Sequence, residues 1–204
     1  MTPRNPFGGL SPQQVAKRLP VVYAAVDRAI AIGLREGKAA GEVPSCGSGC
    51  AGCCHTRMFL PTEEAECLTA AVAKSGGLVG LTELGRRAAA NIKATGPAPP
   101  GGAESKEFDH PYFKARVPCP LLNIATQTCS QYAARPTVCR AYFSMSPPNE
   151  CEWGGKPVTM QFVDVVRFAG SMMHRLSRRP PEIADLNVQL LLAVRRRGVE
   201  VKDA

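Results

Sequence analysis

No stretch of this chain approaches the roughly 18 consecutive apolar residues that a membrane span requires, so no transmembrane helix is expected. The opening residues Met1–Leu10 contain no apolar block and are not expected to act as a secretory signal. Missing too are a glycine-rich phosphate loop, a nucleophile elbow and the paired histidines of metalloproteases. No aromatic residues interleave with the C-terminal arginines, as a single-strand nucleic-acid platform would need. The chain is therefore expected to stay in the cytoplasm, where thiols are kept reduced. Its nine cysteines, an odd number, fit a disulfide framework poorly. Reduced thiols in a cluster point to metal.

What is present centres on Cys46-Gly-Ser-Gly-Cys50-Ala-Gly-Cys53-Cys54, four thiols within nine residues. Thiolate is a soft ligand that binds zinc, copper(I) and iron–sulfur clusters. The small residues between the thiols let the backbone wrap a centre, since glycine reaches positive φ without strain. Adjacent side chains diverge in most backbone conformations, so one tetrahedral ion does not easily take both Cys53 and Cys54. Either one of them stands outside, or the centre is polynuclear, or there are two centres. A second group adds Cys119, Cys129, Cys139 and Cys151, giving eight candidate ligands.

Two divalent ions, each held by four thiolates, would carry −2 apiece, so the formal charge of +8 would fall by four to +4. The remaining excess includes Arg175, Arg178, Arg179 and Arg195–Arg197, near expected helix ends, where the helix dipole favours cations. We read these as solvated termini and do not expect nucleic-acid binding.

A hydrophobic content of 45% suffices for a core, while 18 prolines and 19 glycines imply long irregular connections. After a loose tail over residues 1–10, the segment 11–44 is helical, with Ser11 as N-cap and Val15, Leu19, Val22, Val26 and Ile30 on one face. Pro20 should interrupt it. Residues 55–60 suggest a short strand, and Thr62 caps a helix carrying Cys67, which we assign to the core. Another helix is expected from Thr82 to about Ala94, and a loop over 95–111. Residues 154–204 predict a helical hairpin on the same core, with Val165, Val166, Ala169 and Met173 on one helix. Ile183, Leu186, Leu190, Leu191 and Val194 line the other, with Pro180-Pro181 between them. The fold class expected is mainly α: a small helical domain wrapped around a loop-rich cysteine-ligated centre over 45–153, with little or no sheet.

With both cysteine groups in view, the chain resembles the YkgJ-like cysteine-cluster proteins, a zinc- or iron-chelating family of the CxxCxxCC type. The first motif is Cys46-x-x-x-Cys50-Ala-Gly-Cys53-Cys54, with three residues between the first two cysteines where two is commoner. A Thr-Glu-Glu-Ala helix start follows. The second motif runs Cys119-Pro-Leu-Leu, Cys129-Ser-Gln-Tyr132, Arg135-Pro136-x-x-Cys139-Arg140, then Ser144 and Cys151. The resemblance covers about half the chain and implies zinc or iron as the metal. A similar cluster in the flagellin lysine N-methylases is linked to an iron–sulfur centre. No cofactor motif for a methylase occurs here, so that activity is not carried over.

The expected function is a metal-binding protein with a zinc or iron–sulfur centre, structural or handling metal or electrons. Two alternatives are a metalloenzyme, with Asp109, His110 or His55 as acid or base, and a zinc-stabilised module for nucleic acid or protein. Tyr132, Arg135 and Arg140 are candidates to support the ligands. For both arginines we prefer hydrogen bonds that hold the loop around the cluster over contact with thiolates or an anionic substrate. His55 and His110 are expected to be loop histidines.

Overall fold

The computed structural model describes residues 8–47, 49–96, 117–147, 150 and 159–201. Cys151, Asp109, His110 and most of the expected 95–111 loop lie outside the described residues. The fold is mainly α, with six helices and three two-stranded antiparallel pairs, and no closed sheet among the described residues.

Helix α1 (Pro12–Ala16) opens with a capping box, in which Ser11 and Gln14 exchange side-chain and backbone bonds. Proline is tolerated only in a first turn, so a separate helix, α2 (Leu19–Ala39), begins with Pro20 at its second position. The face expected from periodicity is the buried one: Val15, Leu19, Val22, Val26 and Ile30 are at most 6% exposed. Helix α2 ends at Ala39, within the 11–44 segment expected to be helical.

The short strand β1 (Phe59–Pro61) leads into α3 (Thr62–Thr95), which bends at Gly77 (φ 57°, ψ −147°). Only glycine adopts that conformation without strain. Two expectations are corrected here. Thr62 is not a cap; its hydroxyl bonds the Glu182 carbonyl and Gln189 instead. Nor does Thr82 start a helix, because the second limb is already under way and its hydroxyl donates back to Leu78 O.

The hairpin β2 (Leu122–Asn123) and β3 (Thr128–Cys129) turns on Asn123, whose carboxamide oxygen accepts from Ala125 N and Thr126 N. Then come α4 (Thr137–Ala141), β4 (Tyr142–Ser144), β5 (Thr159–Gln161), α5 (Val163–Ser177), β6 (Ile183–Asp185) and α6 (Leu186–Arg196). Strand β1 pairs with β6, and β4 with β5. Ile183, expected on the face of the last helix, lies in β6 and is 64% exposed. Asp185 there caps α6, accepting from Asn187 N and Val188 N. Val166, expected on the buried face of α5, is 38% exposed.

The apolar side chains form two clusters. One joins α3 and α6 through Leu60, Leu68, Leu84, Leu190 and Val194. The other joins α1, α2 and α5 through Val15, Leu19, Val26, Ala169 and Met173. The terminal helices α5 and α6, expected on one core, thus join different clusters. The arginines of the last turn are not all solvated either. Buried Glu66 accepts from Arg196 Nε at 2.6 Å, and Arg197 Nη2 lies 3.5 Å from its second oxygen. Desolvating a carboxylate requires such compensation.

Candidate metal centre

The first cysteine segment is pinned to β4 at its start. Ser45 N donates to Ser144 O at 2.9 Å, and Ser144 N donates to Cys46 Sγ at 3.1 Å. Cys46 is exposed and Cys50 half-buried. A 3-10 turn over Gly52–His55 then carries Cys53 and Cys54, with Cys54 N bonded to Ala51 O at 2.8 Å. Thr56 closes the turn by donating to Cys53 O through both its amide and its hydroxyl. His55 Nδ1 lies 3.2 Å from Ala51 O, the backbone bond expected of a loop histidine. Just beyond, buried Arg57 pairs with Asp185 at 3.2 Å and so ties this segment to the start of α6.

The second segment is held from several sides. Cys119 N donates to Cys54 O at 2.7 Å, which joins the two cysteine segments through backbone. Asn91 of α3 donates to Pro118 O and to Asn187 of α6, both at 2.9 Å. Arg87 reaches Leu122 O at 3.3 Å. Cys129 sits in β3 opposite Leu122.

Cys139 rides on α4, and two buried residues fix that helix. Glu64 Oε1 accepts from Thr137 N at 2.8 Å and from Thr137 Oγ1 at 2.6 Å, capping the first turn of α4. Burial raises the Glu64 carboxyl above its usual range, against the pull of the two Thr137 donors. Arg140 donates to Asp27 at 2.6 Å, to Arg135 O at 2.9 Å and to Ala133 O, and its guanidinium lies 4.2 Å from the Tyr23 ring. Arg140 therefore holds the 133–135 loop to α2. Arg135 is placed differently: its guanidinium lies 3.9 Å from the Tyr132 ring centroid.

These segments converge on one cavity of about 620 Å³. Cys46, Cys50, Cys53 and Cys54 line it from the first segment, and Cys119, Cys129 and Cys139 from the second. None of the eight described cysteines is in a disulfide. Cys67 does not line the cavity; it is buried in the second apolar cluster. Among the described residues no three histidine, cysteine or acidic side chains are gathered tightly enough to enclose one ion. The seven thiols are spread over a wall.

Electrostatics divides the thiols. Burial pushes Cys119 up to about 12 and raises Cys129 and Cys139 as well, with neighbouring thiols adding to the effect. Cys53 and Cys54 behave as a pair. In the 3-10 turn both face the cavity, so the divergence expected of adjacent side chains does not occur. The hydrogen bond between them lowers Cys53 to about 7 and raises Cys54, burial adding to the rise; the Arg135 charge helps lower Cys53. Desolvated thiols of this kind are ionised readily only when a cation replaces their protons.

Sequence reasoning did not find Glu64, Asp27 or Asn91. Glu64 resembled an ordinary first-turn acid, and nothing in one sequence marks it as buried. The other two show no local pattern at all.

Soft donors in one partly dry cavity suit zinc or iron. No curated protein and no solved structure matches the chain. A family model does match, over residues 45–159 of the 204, and that span holds every thiol of the cavity. The chain belongs to the family described as "CxxCxxCC: Putative zinc- or iron-chelating domain".

Proposed function

We propose that this protein holds zinc or iron on cysteine thiolates, with Cys46, Cys50, Cys53, Cys54, Cys119, Cys129, Cys139 and Cys151 as the ligand set. The observation that carries this reading is the convergence of seven of these thiols, from segments some 65 residues apart or more, on one cavity. Such residues would supply all-sulfur ligation, either to zinc in closed, redox-inert sites or to an iron–sulfur cluster. Arg140 and Glu64 position Cys139, while Tyr132 and Arg135 stand beside the thiols. The volume of the cavity and the pairing of Cys53 with Cys54 favour more than one metal atom over a single closed tetrahedral site. The role we assign is metal or electron handling, or structural support of the fold, in a cytoplasmic setting.

Metal analysis and an optical spectrum on protein purified without oxygen test this. About two zinc ions in a colourless protein would support structural sites. Brown protein with iron and acid-labile sulfide would support a cluster. A chain purified and reconstituted without taking up either metal would refute the proposal.

A further inference from the structure

The seven thiols of the cavity differ in how they can be reached. Cys46 is exposed, while the other six are half-buried. It opens a glycine-rich bridge that is tied at both ends. Before it, Ser45 bonds to Ser144 O and Ser146 O; after it, buried Ala51 accepts from Cys54 N. Between these ties little packs against the chain. A Cβ placed on Gly47 or Gly49 would meet nothing within 4 Å among the described residues. Gly49 also holds φ 84°, which other residues adopt only with strain.

The opposite side of the cavity is fixed. Cys119 is joined to Cys54 through backbone, Cys129 lies in a paired strand, and Cys139 rides on a helix clamped by Glu64 and Arg140. Burial raises all three of these thiols. The cavity therefore has a firm side and one water-facing thiol on a lightly packed bridge. A closed structural site is built otherwise, with every ligand held. There metal escapes only when the fold opens.

We propose that metal enters and leaves this site by thiol exchange at Cys46, which hands it to, or takes it from, a thiol outside the protein. The incoming thiol forms one metal–sulfur bond, its proton passes to Cys46, and the bond from Cys46 to the metal breaks. Charge balances, and no oxidant or reductant is needed. Cys50, next along the bridge, gives way second, while the side carrying Cys119, Cys129 and Cys139 keeps its hold until the acceptor takes over. Softness matches a thiol acceptor to this site better than a carboxylate or an imidazole. A small-molecule thiol and a protein cysteine offer the same chemistry, and exposed Cys46 is open to both. The inference rests on the metal reading above and selects metal handling among its roles.

The test uses full-length protein loaded with zinc(II), or with iron(II) if that is the metal it takes up. Release to a chromogenic chelator at fixed concentration is followed by absorbance, while glutathione or a peptide carrying a Cys-x-x-Cys pair is added in increasing amount. The release rate is expected to rise in proportion to the added thiol. A rise with only one of the two thiols supports the proposal and identifies the acceptor. A rate indifferent to both overturns it, because release would then wait on opening of the fold. In a second measurement the loaded protein is treated with N-ethylmaleimide, and the modified cysteines are located by mass spectrometry. Cys46 should react about tenfold or more ahead of Cys119 and Cys139, since desolvated groups react through local opening. Metal should be lost as Cys46 is modified. Modification of Cys46 with metal fully retained would overturn the proposal, as would Cys119 or Cys139 reacting first. Loaded protein that fails these tests sinks this inference alone, whereas protein that takes up neither metal sinks the metal reading first.

Discussion

Arg140 decides how firmly Cys139 is held, and its contribution can be separated into parts. Its side chain is 4% exposed, whereas that of its partner Asp27 is 50% exposed. An ion pair with a carboxylate so open to water contributes about 0–1 kcal/mol. The bonds to Ala133 O and Arg135 O are different, since a charged donor contributes about 1.5–3 kcal/mol each and its loss leaves carbonyls without their partner. These terms are not additive, because the 133–135 loop can relax toward water. Arg140→Met is therefore expected to cost about 3 kcal/mol, and Asp27→Asn less than about 1 kcal/mol. In a chain of this length each kcal/mol moves the melting temperature by about 2–4 °C, so the two variants should fall about 6–12 °C and at most about 4 °C respectively. Arg140→Lys keeps a charge for Asp27 but lacks the fork that reaches two carbonyls, and it should resemble Arg140→Met. The assay is thermal unfolding followed by circular dichroism, with metal per chain determined for each sample because bound metal adds its own stabilisation. The reasoning is refuted if Arg140→Lys melts with the parent protein, or if Asp27→Asn costs as much as Arg140→Met.

The remaining predictions concern the thiols and a buried acid. Cys50→Ser or Cys139→Ser should lower metal content and melting temperature together, while Cys67→Ser should leave metal content unchanged and cost about 1–2 kcal/mol for a hydroxyl placed in an apolar cluster; atomic absorption with parallel melts separates the cases, and full metal content in Cys139→Ser would remove it from the ligand set. Glu63 is 1% exposed, one of its oxygens has no hydrogen-bond partner among the described residues, and Arg179 stands 3.9 Å away. Burial raises its carboxyl above the ordinary range, against the weaker lowering by Arg179. A raised folded-state value means that the associated stability is complete below the unfolded pKa and is lost as pH rises through the folded one. Glu63→Gln should then melt higher than the parent at pH 7 and alongside it near pH 4, and a difference that does not vary with pH would count against the assignment.

Several features were legible because they depend on local chemistry. The capping box at Ser11, the break at Pro20 and the apolar face from Val15 to Ile30 follow from propensity and period, and the structure reproduces them. The two cysteine motifs were visible as spacing alone, and the family match covers both. Where the reading went astray, tertiary partners had changed the role of a residue. Thr62 was free to cap α3, yet Glu182 and Gln189 occupy its hydroxyl. The Thr82 segment carried a good start signal, but Gly77 lets α3 bend and continue past it. Arg196 and Arg197 resembled solvated helix ends until α6 lay along α3 and brought them to buried Glu66.

The sequence by itself determined that the chain is mainly helical and rich in clustered thiols, because periodicity, capping and ligand chemistry are properties of short segments. Only the tertiary structure decided that Cys119 meets Cys54 through backbone, that Glu64 and Arg140 clamp the helix carrying Cys139, and that Arg135 stacks on Tyr132. The first two relations join residues tens of positions apart, and burial at such distances is set by which faces pack together. No local pattern records it.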